Sequence, residues 1–208
     1  MLQNRPTTPL NTAWNKGKIV GQKPPLRQNE VWEIRVHLQI QHKTRDLAMF
    51  NLAIDSKLRS CDLVKLKVKD IRRGSSILSR TTVLQQKTHQ PVQFEITGHT
   101  RESLEDWIRQ ADLKQGDYLF KSRLRGSTHL STRQYARIVE SWISEIGLDP
   151  ASYGTHSLRR TKASLIYKKT KNIRVVQLLL GHKKLESTVR YLGIDVDDAL
   201  DIAEHTEI

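Results

Sequence analysis

Residues 153–161, YGTHSLRRT, and residues 179–192, LLGHKKLESTVRYL, decide how this chain is read. In the first stretch a Gly-Thr pair stands just ahead of an expected helix start. His156 and Arg159, three residues apart, then share one helical face and can address one ligand. In the second stretch His182 directly follows a glycine turn at Gly181, and Tyr191 comes nine residues later. Each feature alone is ordinary: a surface or capping His beside a solvated Arg, a His at a helix end, a half-buried aromatic. Their order along one segment is what asks for explanation.

Working outward, apolar spacing predicts helices over 30–42, 45–54, 101–111, 131–146, 156–168, 173–180, 185–191 and 196–204, with a short helix over 60–66. A strand is expected at 67–71. Alternating β-branched residues add strands over 76–85 and 92–97, joined by a turn at 86–91. The expected fold is therefore mainly α with a small three-stranded antiparallel β-sheet.

Charge divides the chain of 208 residues into three. The whole carries 35 Lys and Arg against 22 Asp and Glu, a formal charge of +13. Residues 1–29 hold Arg5, Lys16, Lys18, Lys23 and Arg27, no acid, and four of the six prolines, which reads as an extended basic arm. Residues 193–208 hold six acids and no Lys or Arg, and Val196, Leu200 and Ala203 give them an apolar helical stripe. Residues 30–192, the expected folded domain, thus carry more than the whole net surplus. Such a globule fits a polyanion, because Lys and Arg gain affinity by releasing counterions condensed on phosphates.

Other chemistries are disfavoured. The single cysteine, Cys61, excludes an intrachain disulfide and any Cys-x-x-Cys zinc site. No apolar run of about 18 residues and no signal-peptide core are present, so no membrane contact is expected and a cytoplasmic location is the simplest expectation. The segment GKIVGQK at 17–23 lacks the spacing and the Lys-Ser/Thr ending of a phosphate loop. With no His-Glu-x-x-His, Gly-x-Ser-x-Gly or carboxylate cluster, no metal and no cofactor are expected. Chemistry on a phosphate ester would have to draw its positive charge from the protein itself.

Taken together, THSLRRT followed by LLGHKKLESTVRYL resembles the signature of the tyrosine recombinases, the phage-integrase family of site-specific DNA strand-exchange enzymes. The resemblance spans about residues 30–205 and implies that family's catalytic-domain fold. It directs attention upstream, where DSKLRSCDLVKL at 55–66 matches the family's first arginine and gives Arg59, and where QQKTHQPV at 85–92 matches its hairpin lysine and gives Lys87. The implied catalytic set is Arg59, Lys87, His156, Arg159, His182 and Tyr191. By that resemblance Tyr191 is the nucleophile that forms a 3′-phosphotyrosine, Arg59 and Arg159 clamp the non-bridging oxygens, and His156 takes the proton. His182 donates to the phosphate and Lys87 protonates the leaving 5′-oxygen.

The implied partners are double-stranded DNA and further copies of the chain, as a homotetramer on paired sites, for integration, excision or inversion. Between residues 157 and 174 the basic Arg160, Lys162, Lys168, Lys169, Lys171 and Arg174 occur without an acid, and these are expected to track the DNA backbone. Two departures stand out. Most members place a helical core-binding domain ahead of the catalytic one, where this chain has its basic arm, a layout closer to the short single-domain members. Arg160 stands where many members have His. The competing expectations are a DNA-binding regulator that keeps the fold without strand exchange, which would be marked by loss of Tyr191 or an arginine, and a relaxing topoisomerase.

Overall fold

Helix α1 (Gln28–Ile40) turns Val31, Ile34 and Leu38 inward at the spacing of one helical face. Its first turn is closed by Glu30, whose carboxylate accepts from the backbone N–H of Arg27 at 2.7 Å. Helix α2 (Thr44–Ser56) is buried without interruption from Ala48 to Ser56, the mark of a helix surrounded by others. It ends at Lys57, which takes the left-handed conformation with φ 54°. The computed structural model describes residues 22–122 and 127–193, together with Leu200 and Glu204. Most of the expected basic arm and nearly all of the expected tail helix over 196–204 lie outside the described residues.

After α2 come two single turns, α3 (Ser60–Leu63) and α4 (Val68–Ile71), and then the strands. Strand β1 (Arg72–Arg73) pairs antiparallel with β2 (Ser76–Ile77), and β3 (Arg80–Leu84) pairs antiparallel with β4 (Pro91–Glu95), Thr82 opposite Gln93. The three-stranded sheet expected from the sequence is thus resolved into two ribbons of two strands. The 67–71 segment is helical because the Asp70 carboxylate accepts from the Lys67 N–H at 2.8 Å, and because Val68 and Ile71, three apart, are both buried. Lys67 alone keeps an extended bridge, to Tyr118. Ile96 N–H, donating to the Ser79 carbonyl at 2.8 Å, prolongs the β3–β4 ribbon by one step.

Then follow α5 (Gly98–Gln110), α6 (Thr132–Glu145), α7 (Thr155–Thr170), α8 (Ile173–Leu180) and α9 (Leu185–Leu192). Ser131 caps α6 by accepting from Gln134 N–H at 3.1 Å, and Asn172 caps α8 by accepting from Val175 N–H at 3.1 Å. The main core centres on α2, which packs against α1, α5 and α7, with Phe50 edge-on to Trp142 of α6 at 5.5 Å. A second, much smaller core sits apart. Ala163, Val176 and Leu180 form it, with Ile166, Tyr167, Tyr191 and Leu192 packed around them. Only Thr188 of α9 is fully buried, so this helix is held by few apolar contacts and depends on polar ones.

Candidate active site

Arg59 is the N-cap of α3, with extended backbone at φ −69° and ψ 153°, and its Nη1 donates to Gln85 Oε1 at 2.7 Å. Gln85, just beyond β3, is wholly buried. Its Nε2 donates to the Leu180 carbonyl at 3.3 Å, and its Oε1 also accepts from Thr88 Oγ1 at 2.7 Å. Arg159, 3% exposed, donates from Nη2 to the same Leu180 carbonyl at 3.0 Å and from Nη1 to the Lys57 carbonyl. One carbonyl at the end of α8 therefore ties both arginines' neighbourhoods together.

That carbonyl lies beside Gly181, the C-cap of α8, with φ +65°. A Cβ at Gly181 would fall 2.3 Å from Val92 Cγ2 of β4, so both the left-handed backbone and the close approach to β4 require glycine. The turn delivers His182, whose Nδ1 meets Thr188 Oγ1 at 3.1 Å and whose ring stands edge-on to Tyr191 at 5.4 Å. The guanidinium carbons of Arg159 and Arg160 lie 5.9 Å and 5.4 Å from the Tyr191 ring centre. The Tyr191 hydroxyl is buried beside Arg159 without a hydrogen bond of normal geometry. Arg59, His182 and Tyr191 all line one cleft of about 520 Å³.

Three predicted residues stand outside this cleft lining: Arg159, buried with its guanidinium over the Tyr191 ring, and His156 and Lys87. His156, in the first turn of α7, is exposed, and Lys87 is exposed on the loop between β3 and β4, where His89 turns the chain with φ 51°. His156 still feels the site: surrounding protein disfavours its charged form, and Arg159, Arg59, Arg160 and Lys23 reinforce this, so its pKa is lowered. Burial, then Arg159 and Arg59, bring His182 down to about 4, which leaves it neutral at pH 7. Burial pushes the Tyr191 phenol up to about 12, against the opposing pull of Arg159 and Arg160. Burial first, and the arginine charges second, keep both histidines from taking a proton, while burial keeps the Tyr191 phenol protonated.

Among the described residues no group of three or more His, Cys, Asp or Glu gathers as a metal site would require, and no helix is long and apolar enough to cross a membrane. The sequence model of the Phage integrase family matches residues 25–197. The chain belongs to the phage integrase family. It is 32% identical to the probable integrase/recombinase YoeC of Bacillus subtilis over 83% of this chain and 91% of that one. To the tyrosine recombinase XerC of Neisseria gonorrhoeae it is also 32% identical, over 74% of this chain but 48% of that one, so it spans about half the length of that longer relative. Among solved structures, XerA recombinase superposes with TM-score 0.71 at 19% identity, covering 89% of this chain and 64% of that one. XerH bound to its difH substrate superposes with TM-score 0.68 at 22% identity, covering 88% and 54%. These establish a shared fold.

Within this integrase-family fold, two of the residues expected on the DNA backbone are placed elsewhere. Lys162 bonds Asp55 Oδ1 and Glu95 Oε1, each at 2.6 Å, so its charge is already matched by two carboxylates. Arg160 is 7% exposed and turns back over Tyr191, with Nη1 donating to the Lys23 carbonyl at 2.9 Å. Lys168, Lys169 and Lys171 are exposed at the end of α7, and Arg174 is exposed in α8, where it donates to Gln177. Sequence reasoning passed over Gln85, Lys57 and Asp62. Asp62, three residues after Arg59, is buried; its Oδ1 accepts from Gln86 N–H at 2.9 Å while Oδ2 has no hydrogen-bond partner, and its charge favours ionised Arg159. A buried acid on a short helix next to an arginine was the available signal.

Proposed function

We propose that this integrase-family chain is a site-specific recombinase that breaks and rejoins DNA strands through a covalent 3′-phosphotyrosine on Tyr191. The observation that carries the reading is the convergence of Tyr191 with three guanidinium groups that carbonyl and amide oxygens hold and that, among the described residues, no carboxylate pairs. A phosphodiester entering the cleft supplies the missing anion. Arg59 and Arg159 clamp its non-bridging oxygens, a role that suits a planar, permanently charged fork.

Attack by the Tyr191 oxygen forms the O–P bond as the P–O5′ bond breaks. His156 accepts the phenol proton, and Lys87, from the exposed hairpin loop, gives a proton to the departing 5′-oxygen. His182, neutral with Nδ1 engaged by Thr188, offers its other nitrogen to the phosphate. Charge that develops in the transition state meets groups already in place, which is where such sites obtain most of their rate. The phosphotyrosine keeps the ester energy for religation by the 5′-hydroxyl, so no cofactor is needed.

The DNA is double-stranded and held along its backbone by Lys168, Lys169, Lys171 and Arg174. The basic arm expected over residues 1–29 is kept only ahead of residue 22, because Leu26 is buried against α7 and α1 begins at Gln28. The catalytic domain then takes in residues 22–192, and residues 193–208 are an acidic tail that bonds protein, in a homotetramer acting in the cytoplasm on paired sites. A plasmid bearing two copies of the recognised site tests the activity. Recombinant product is expected. A regulator would bind the same DNA and leave both strands intact, and a topoisomerase would relax plasmids lacking the site.

A further inference from the structure

Residues 22–27 lie along α7 and α9 through contacts that converge on Tyr191. Leu26 is 2% exposed, and its N–H donates to Thr161 Oγ1 at 3.0 Å, which anchors the segment to the middle of α7. Lys23 donates from Nζ to the Tyr153 carbonyl ahead of α7, and its own carbonyl accepts from Arg160 Nη1. Gln22 lines the Tyr191 cleft and donates from Nε2 to the Arg190 carbonyl at 2.9 Å. The segment thus touches the helix that carries Arg159 and the residue adjoining Tyr191.

Arg160 is the link between them. Its guanidinium lies 5.4 Å from the Tyr191 ring centre and its Nη2 lies close to Gly193 just after α9, while its Nε is buried without a partner. The Lys23 carbonyl is the acceptor that fixes where this charge sits. Because α9 has only Thr188 fully buried, such contacts are a large share of what holds it.

Resting on the recombinase reading above, we infer that Arg160, held by the Lys23 carbonyl, and Gln22, bonded to the Arg190 carbonyl, are positioning residues that clamp the Tyr191 helix, so that the segment 22–27 forms part of the active site. They act through Tyr191 and its helix. A cation stacked on a phenol ring stabilises both its placement and any negative charge that develops on it.

The test uses the full chain with Arg160→Met, which keeps length and bulk while removing the fork, and with Gln22→Ala, an exposed change that leaves folding intact. Two quantities are read: covalent adduct formation on nicked site DNA, as the rate at saturating DNA and the half-saturating concentration, and hydrogen exchange of the α9 amides without DNA. The clamp predicts that Arg160→Met lowers the saturating rate about 10–100-fold, on the scale of a lost oriented donor, and Gln22→Ala about 3–10-fold, with little change in half-saturation. Both variants speed exchange across α9. If Arg160→Met raises the half-saturating concentration and leaves the saturating rate intact, Arg160 is a phosphate contact and the clamp is wrong. Wild-type exchange in α9 of both variants also overturns it. Should the wild-type chain form no adduct on a verified site, the recombinase reading fails by itself, while the exchange result still decides the clamp.

Discussion

Helix α7 carries two groups of cations within a single turn, and they have opposite neighbours. Lys162 points to Asp55 and Glu95, and Glu95 also bonds buried Lys57 at 2.9 Å, so this side of the helix is an ion-pair network closed on itself. Asp55 is completed by Thr97 and Thr100, whose hydroxyls donate to Oδ2 at 2.7 Å and 2.6 Å. Arg159 and Arg160, earlier on the same helix, bond carbonyl oxygens and face Tyr191, as Arg59 bonds a glutamine, and Asp62 acts on Arg159 through its charge alone. Among the described residues none of the three arginines forms an ion pair with a carboxylate. A buried charge without a counterion is costly. One group is matched within the fold, and in the recombinase reading proposed above the other receives an anion.

Substitutions break this comparison in a graded way. Arg159→Lys keeps the charge but loses the fork that spans the Lys57 and Leu180 carbonyls, and should slow cleavage on the order of 10²–10³-fold with the fold intact. Adduct formation and circular dichroism measured together check this. Lys162→Met acts on the other group: it leaves the Asp55 carboxylate buried beside an apolar chain and should lower stability by roughly 3 kcal/mol, the low end for a broken buried pair because Lys162 keeps some contact with water. Urea midpoints measure it.

The same network sets a dependence on acid. Burial opposes ionisation of Asp55, but the bonds from Lys162, Thr100 and Thr97 and the Lys162 charge outweigh it and hold its pKa below the ordinary carboxylate value. A depressed folded pKa contributes stability that is complete above the unfolded value near pH 4 and is lost as pH falls through the folded one. The wild-type urea midpoint should therefore drop below about pH 4, with a smaller drop in Lys162→Met.

Gly181→Ala should cost about 1–3 kcal/mol, since it adds a Cβ against Val92 at a left-handed backbone position. It should slow cleavage as well, because the same turn places His182, and a thermal melt beside a cleavage assay separates the two effects. The smallest effect belongs to the exposed lysines. Lys169→Gln should weaken binding equally on specific and unrelated DNA and reduce the slope of log affinity against log salt by about 1.

What the sequence could show follows from the same contrast. Helices such as α1 and α6 were legible because their buried positions recur with helical period, and the order of His156, Arg159, His182 and Tyr191 lay within one short segment. The turn at α4 was not, because what makes it helical rather than the expected strand is a bond from the Lys67 backbone N–H to Asp70, which no apolar spacing marks. Gln85 was invisible for a different reason: its partners Arg59 and Leu180 lie 26 and 95 residues away, and no local pattern marks a glutamine that packing alone will bury. The basic residues over 157–174 form one run in the sequence and suggest one surface. Only burial shows that Lys162 and Arg160 leave it, one for carboxylates and one for Tyr191.

In the proposed reaction the unpaired arginines serve Tyr191 as a nucleophile toward DNA phosphate. The direct measurement incubates the full chain with nicked duplex carrying its recognised site and looks for a protein–DNA adduct that survives denaturation. A single adduct, mapped to Tyr191 and absent in Tyr191→Phe although that variant binds the site with wild-type affinity, is the predicted result. An adduct that persists in Tyr191→Phe, or no adduct from wild-type protein bound to that site, would contradict it.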